Sequence, residues 1–207
     1  MHFSNFIAPL IVAGSVFAAP TELTPRQASC TAQQLVFLAG TSESGLGSVG
    51  TALSRSLGSS ASAYGVPYDT RAEYFTTVAA GARTTEAYIA KQAAACPNQR
   101  FIIGGYSKGA LVVHQINLSS ALKSKVASIN VFGDPALKSG GSNSWPINSP
   151  SVDLTPRDGS TSSQNIASFC NSGDTFCDPR GNSLAAHLAY PNDGSTTVAA
   201  TFDKARP

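Results

Sequence analysis

The sequence predicts an α/β domain with a central, mostly parallel β-sheet flanked by helices. Short continuous apolar runs, the first at residues 34–39, alternate along the chain with segments of helical spacing. A continuous apolar run is typical of a strand buried on both faces, as in a parallel sheet covered by helices. Alternation of such strands with helices indicates an α/β domain.

The individual elements follow from spacing and from local stop signals. Val49, Leu53 and Leu57 share one side of a helix, and Cys96-Pro97-Asn98 ends an alanine-rich helical stretch. We predict strands over 34–39, 63–66, 101–104, 127–132 and 166–169, and helices over 48–57, 83–95, 108–122 and 197–204.

The segment 138–164 interrupts this alternation. It is rich in Gly, Ser, Asn and Pro, with Val152 and Leu154 as its only aliphatic pair. A structureless loop of this length is unusual inside a compact domain. We therefore predict a surface excursion that carries one short strand.

The N-terminal residues predict export. The apolar stretch 6–18 is too short to span a bilayer, and Val16 and Ala18 occupy the positions that signal peptidase requires. We assign residues 1–18 to a signal peptide, 19–26 to a candidate pro-peptide, and 27–207 to a single domain that is secreted.

Composition excludes some partners and gives the cysteines a role. Only 13% of residues are charged and the net charge is +2, so a nucleic-acid partner has no electrostatic support.

Four cysteines in an oxidising compartment predict disulfides, and among three pairings the short spacing favours Cys170–Cys177 with Cys30–Cys96. A zinc site is the rival, but the chain has no C-x-x-C and no nearby pair of histidines. We expect no metal and no cofactor.

The stretch GGYSKGA contains the chemical signature of the chain. Gly105-x-Ser107-x-Gly109 fits the nucleophile elbow, in which a strand turns sharply into a helix and presents a serine. The flanking glycines are needed because a side chain in so tight a turn would clash. An apolar strand precedes the motif and a helix follows it, which favours the elbow over an ordinary turn.

A nucleophilic serine needs a base, and the predicted mature chain has two histidines. His114 follows Ser107 by seven residues on one predicted helix, which separates them by roughly 10 Å along the axis. We assign His114 to packing or to a hydrogen bond on the helix face, and His187 to the role of base.

The orienting acid should lie between the serine and the histidine. Asp174 is our first choice because a Cys170–Cys177 bridge would hold its loop still; Asp134 is second and Asp178 third. The two remaining carboxylates, Asp153 and Asp158, lie in the long polar loop and have no rigid support in this interpretation.

An oxyanion hole needs two donors directed at the developing charge. One is the backbone N–H of Lys108, which follows the nucleophile, and the other is Thr41, in the loop after the first strand. Thr41 also fits the start of a helix, and the two roles are compatible.

Four motifs together resemble those of fungal cutinases. They are Gly40-Thr41-Ser42-Glu43, the GGYSKG elbow after Cys96-Pro97, Cys170-Asn171-Ser172-Gly173-Asp174-x-x-Cys177, and His187-Leu188-Ala189-Tyr190. The resemblance implies a small, lidless α/β-hydrolase that cleaves ester bonds, including those of cutin. It also implies the triad Ser107, Asp174 and His187, the oxyanion residues Thr41 and Lys108, and the same two disulfides.

The chain departs from this pattern at Lys108, where the family usually has glutamine, and in the length of loop 138–164. The backbone donor survives the change to lysine, while the added cation either stabilises the oxyanion or lowers the basicity of the histidine.

The expected function is hydrolysis of cutin-like polyesters or short-chain esters through an acyl-enzyme, by a monomer without stable membrane insertion. The alternatives are a carbohydrate deacetylase of the acetylxylan esterase type and a non-catalytic secreted binding protein in which Lys108 marks lost activity. Candidates for an acyl-chain groove are Leu184, Leu188, Tyr190, Tyr74 and Phe75.

Overall fold

A computed structural model describes residues 30–140, 145–149, 151–159 and 163–206. The predicted signal peptide and pro-peptide lie outside these residues. The described chain forms one five-stranded sheet in the order β2-β1-β3-β4-β5, and every neighbouring pair is parallel. The strands are β1 Gln33–Leu38, β2 Ala61–Gly65, β3 Arg100–Tyr106, β4 Val126–Phe132 and β5 Ile166–Phe169. The predicted fold class is confirmed.

Seven α-helices lie in the described part of the chain. They are α1 Gly47–Leu57, α2 Thr77–Ala95, α3 Lys108–Gln115, α4 Ser120–Lys123, α5 Pro135–Ser139, α6 Leu184–His187 and α7 Ser195–Lys204. None of these helices combines the length and the apolar character needed to cross a bilayer.

Two helix predictions need correction. Helix α2 begins at Thr77 rather than at residue 83. The helix predicted over 108–122 is broken after Gln115, where Ile116 takes the extended conformation (φ −68°, ψ 124°), and the chain re-enters a helix at Ser120. Ile116 and Leu118 are both buried. Because residues two apart do not face the same side of a helix, burying both favours an extended link here.

The core consists of two apolar layers, one on each face of the sheet. Alternate side chains of a strand point to opposite faces. Val36 of β1 and Ile103 of β3 therefore pack beneath α2 and α3, while Phe37 and Ile102 pack beneath α1 and α7. Both faces are covered, as the continuous apolar runs predicted.

The long polar segment is more closely integrated than predicted. Its expected short strand is a single parallel bridge between Asp153 and Ala167, in which the Asp153 N–H donates to the Ile166 carbonyl at 2.9 Å and the Asp153 carbonyl accepts from the Ser168 N–H at 2.9 Å. Asp153 is buried, and so is Trp145, which packs on the His114 ring. The expectation that Asp153 lacks rigid support was wrong, because backbone pairing with β5 holds it.

Both predicted disulfides are present, so all four cysteines are paired. Cys30 is bonded to Cys96 with a Cα–Cα distance of 5.6 Å, and Cys170 to Cys177 with 5.8 Å. The first ties the start of β1 to the end of α2. The second joins residues seven positions apart and closes a small loop directly after β5.

Candidate active site

The sequence-predicted site residues meet at the carboxyl edge of the sheet. Thr41 follows β1, Ser107 follows β3 and Asp174 follows β5, and such edges are where α/β proteins bind ligands. Thr41 and Ser107, together with His187, line an open cleft of about 270 Å³, and Asp174 lies buried behind His187. The residues that line the cleft are Thr41, Glu43, Ser48, Tyr74, Tyr106, Ser107, Phe176, Leu184, His187 and Leu188.

Ser107 has the backbone geometry of a nucleophile elbow. Its φ is 53° and its ψ is −115°, a strained conformation for a non-glycine residue. A Cβ on Gly105 would lie 2.5 Å from the Gly109 carbonyl oxygen, and one on Gly109 would lie 2.0 Å from the Leu38 carbonyl oxygen. The glycines are therefore required because backbone atoms pack directly against them, which is the reason the sequence analysis proposed.

His187 is paired with Asp174. The histidine Nδ1 lies 3.0 Å and 2.9 Å from the two carboxylate oxygens, and both residues are buried. The Tyr190 hydroxyl donates to Asp174 Oδ2 at 2.6 Å, and the Phe176 N–H donates to Oδ1 at 2.8 Å. Burial by itself raises the pKa of the Asp174 carboxyl, but the hydrogen bonds from His187, Tyr190 and Phe176 outweigh it and hold that pKa below its usual range. Asp174 is therefore an ionised acceptor that holds the imidazole with its Nδ1–H towards the acid.

Two aromatic rings and one glycine pack against the His187 ring. Tyr106 stacks on it with ring centroids 4.9 Å apart and donates its hydroxyl to the His187 carbonyl at 2.8 Å. Phe176 packs against the ring at 4.4 Å. Gly133 has φ 56°, and a Cβ there would lie 2.6 Å from His187 Cε1.

Sequence reasoning missed Tyr106, Phe176 and Gly133. A positional signal existed for two of them, because Tyr106 directly precedes the predicted nucleophile and Gly133 directly follows β4. The contacts of Tyr106 and Gly133 with His187, more than fifty positions away in each case, carry no sequence pattern.

The second- and third-choice acids have other partners. Asp134 accepts from the Ala136 N–H at 2.9 Å, which caps α5, and its Oδ2 lies 2.7 Å from Nε2 of His114. Asp178 accepts from the backbone N–H of Gly173 at 2.7 Å and so braces the loop that carries Asp174. The hydrogen bond expected for His114 is thus made to a buried carboxylate.

The loop that carries Thr41 is held from two sides. The Thr41 Oγ1 lies 2.8 Å from the Tyr74 hydroxyl. Ser42 has φ 65°, and its N–H donates to the Thr70 carbonyl at 2.8 Å. Glu43 Oε2 accepts from the Gly40 N–H at 2.7 Å, which closes the loop on itself. A rigid loop after β1 is the arrangement that an oxyanion donor requires.

Lys108 opens helix α3, and the first N–H groups of a helix have no intrahelical acceptor. Its side chain is buried, and the Nζ donates to the carbonyls of Asp69 at 2.8 Å, Arg71 at 2.5 Å and Glu73 at 2.8 Å. An ammonium group has three N–H bonds, and these three carbonyls use all of them. The expectation that this cation stabilises an oxyanion directly is therefore wrong for the side chain, whereas the backbone N–H is unaffected.

The apolar groove differs in part from the prediction. Tyr74, Leu184 and Leu188 line the cleft, and all three are more than 40% exposed. Phe75 is 95% exposed and does not line it, and Tyr190 is fully buried against Asp174. The rim of the cleft is therefore formed by large apolar side chains that water reaches.

A model of the cutinase family matches residues 29–206. The chain belongs to the cutinase family. It is 33% identical to Phospholipase Culp4 of Mycobacterium tuberculosis, over 99% of this chain and 92% of that protein. It is 32% identical to a cutinase of Botryotinia fuckeliana, over 97% of this chain and 95% of that protein.

Solved structures agree with this membership. A Trichoderma reesei cutinase in complex with a C11Y4 phosphonate inhibitor has a TM-score of 0.63 at 25% identity, covering 84% of this chain and 76% of that one. An acetylxylan esterase has a TM-score of 0.67 at 20% identity, covering 86% of this chain and 99% of that one, which shows a shared fold. This cutinase-family protein is an ester-hydrolysing enzyme of the serine hydrolase type.

Proposed function

We propose that this cutinase-family protein is a secreted, monomeric serine esterase that cleaves ester bonds of cutin, related polyesters and short-chain esters. Ser107 is the nucleophile, His187 the general base and Asp174 the acid that orients it. The observation that carries the proposal is the His187–Asp174 pair, with contacts of 2.9 and 3.0 Å, in the same cleft as a serine with φ 53°.

The proposed reaction proceeds through an acyl-enzyme. His187 accepts the Ser107 hydroxyl proton while the serine oxygen attacks the ester carbonyl carbon. The backbone N–H groups of Thr41 and Lys108 stabilise the oxyanion, and the protonated His187 then gives its proton to the departing alcohol. Water, activated by the same histidine, hydrolyses the acyl-enzyme and regenerates Ser107.

The rim of the cleft supports an acyl substrate. Phe176, Leu184 and Leu188 present apolar surface beside His187 and are 41%, 55% and 58% exposed. Such a rim favours an acyl chain over a carbohydrate, which would need a denser set of hydrogen-bonding groups. The relatives named as a phospholipase and as a cutinase both belong to classes of enzyme that hydrolyse esters.

Export is supported by the two disulfides, which persist in oxidising compartments. Expression of the full chain with its own N-terminus should release a protein into the medium that starts after residue 18 or residue 26. N-terminal sequencing of that protein measures the cleavage site, and retention inside the cell would contradict the proposed secretion.

A panel of p-nitrophenyl esters from C2 to C16, together with cutin and acetylated xylan, tests the substrate. We expect ester turnover and release of hydroxy fatty acids from cutin, with little acetate from xylan. Ser107→Ala should abolish turnover and labelling by a fluorophosphonate. Acetate release that exceeds fatty-acid release would favour the deacetylase, and a wild-type protein that no fluorophosphonate labels would favour the non-catalytic binding protein.

A further inference from the structure

The side chain of Lys108, the residue after Ser107, is buried. It bonds a loop that in turn contacts residues 41–43, the loop that carries Thr41. The Nζ is enclosed by alternate carbonyls of one loop, those of Asp69, Arg71 and Glu73, at 2.5 to 2.8 Å. Three charge-assisted hydrogen bonds from one buried group fix a loop more firmly than neutral ones do. The backbone of residues 69–73 is therefore held around a side chain that emerges from the first residue of α3.

Aromatic rings complete the enclosure. The Nζ lies 5.7 Å from the ring centroid of Tyr68 and 5.2 Å from that of Tyr74, both within the range of a cation–π contact. Burial lowers the pKa of the lysine, while Asp69 and Glu73 favour its charged form. The ammonium thus has ring faces and carbonyl oxygens around it in place of water.

The held loop is the one that contacts Thr41. Tyr74 directly follows the last bonded carbonyl, and its hydroxyl lies 2.8 Å from Thr41 Oγ1. Thr70, between the first two bonded carbonyls, accepts from the Ser42 N–H and donates its hydroxyl to the Glu43 carbonyl at 2.7 Å. The residues that contact 41–43, Thr70 and Tyr74, therefore lie within or directly beside the segment that the ammonium bonds.

We propose that the Lys108 side chain is a positioning residue for the oxyanion hole: its ammonium holds the loop 69–74 so that Tyr74 keeps Thr41 in place. Lys108 thus has two roles. Its backbone N–H donates to the substrate oxygen, and its side chain helps to position Thr41, the other oxyanion donor. This inference rests on the proposed function, because it assigns a role within that reaction. It also gives the lysine a purpose that does not require lost activity.

Lys108→Met tests the side chain and retains the backbone N–H. With p-nitrophenyl butyrate we expect kcat to fall roughly 10-fold or more while KM changes less than about twofold, because an oxyanion donor acts mainly in the transition state. Lys204→Met is the matched control. It removes from α7 an ammonium that donates to one carbonyl, that of Ser56, at 2.9 Å. Its kcat should equal that of the wild type.

A double-mutant cycle tests the route through Tyr74. Tyr74→Phe removes only a hydroxyl from a side chain that is 41% exposed, so it should fold normally and lower kcat by a few-fold. If Lys108 acts through Tyr74, the double variant should be no slower than Lys108→Met alone. Losses that multiply, or a Lys108→Met enzyme with wild-type kcat, would overturn the proposal.

Hydrogen exchange separates failure of this inference from failure of the proposed function. Amides of residues 69–74 should exchange faster in Lys108→Met than in wild type, whether or not the protein turns over esters. If Lys108→Met does not fold, Lys108→Leu, which likewise removes every side-chain N–H donor, takes its place in both measurements. An inactive wild type overturns the proposed function; unchanged exchange at 69–74 in a folded variant overturns the positioning role.

Discussion

Two histidine–aspartate pairs are buried in the described part of the chain, and they differ in what lies beside the imidazole. His187 bonds Asp174 through Nδ1 and lines the cleft that contains Ser107. His114 bonds Asp134 through Nε2, and the indole of Trp145 covers it with ring centroids 4.1 Å apart. Both pairs satisfy a buried carboxylate, but of the two histidines only His187 lines the cleft that Ser107 also lines. A histidine–aspartate pair alone therefore does not indicate catalysis; access to a nucleophile does.

The largest expected effect separates the two histidines. His187→Ala should lower kcat/KM for a short-chain ester by about 10⁴-fold or more, because no other histidine lines the cleft. His114→Ala should retain activity within a few-fold and lower the free energy of unfolding by roughly 1–3 kcal/mol, since Asp134 loses a buried partner. Ester kinetics and thermal unfolding of both variants measure this; a similar loss of activity in both would erase the distinction.

The two aspartates should differ in the same way. Asp174→Asn keeps the shape of the side chain but no longer selects the Nδ1–H form of His187, so kcat should fall by about 10³- to 10⁴-fold. Asp134→Asn keeps a cap for α5, and we expect near-normal kcat. The control is fluorophosphonate labelling, which should slow for Asp174→Asn alone. Wild-type labelling of that variant would contradict the assignment of Asp174.

Asp203 is another buried aspartate, and its pKa is raised whereas that of Asp174 is lowered. Burial raises the pKa of Asp203 to about 7, in spite of hydrogen bonds from Ser128 and Asn130. Between about pH 4 and pH 7 the folded protein keeps this proton and the unfolded chain loses it. Stability should therefore fall as the pH rises through this window, by up to about 4 kcal/mol.

Asp203→Asn removes this titration and keeps an acceptor for Ser128 and Asn130. Thermal unfolding at pH 4.5 and 7.5 should show a smaller decrease for the variant than for the wild type. The kinetics at a fixed pH should be unchanged, because α7 does not line the cleft. An equal decrease in both proteins would show that Asp203 is ionised in the folded state.

The smallest effect concerns the tyrosine hydroxyl that bonds Asp174. Tyr190→Phe removes the hydroxyl that donates to Asp174 Oδ2 and accepts from the Asn171 N–H at 3.0 Å. Asp174 retains His187 and the Phe176 N–H, so we expect kcat to fall about 10-fold or less. Tyr88→Phe is the control, because it also removes one hydrogen-bonded tyrosine hydroxyl, at a residue that does not line the cleft. A loss as large as that of Asp174→Asn would mean that Tyr190 has a direct role.

Much of the fold was predictable because its signals are local. The apolar runs that form β1 and β3 are continuous, and the glycines of GGYSKGA report a tight turn wherever it lies in a fold. The break of the predicted helix at Ile116 was not predictable in this way. It depends on burial of both Ile116 and Leu118, which is a property of the surrounding core.

For the candidate site, residue type and spacing were enough to predict a short set of residues. The set contained one serine in an elbow, one histidine that was not too close along the same helix, and one acid inside a small disulfide ring. Three contacts are visible only in the folded chain: Asp134 bonds His114, the Tyr190 hydroxyl bonds Asp174, and the Lys108 ammonium bonds the carbonyls of loop 69–73. Residue type and spacing determine what chemistry a chain carries, whereas the direction of a long side chain depends on contacts between segments far apart in sequence.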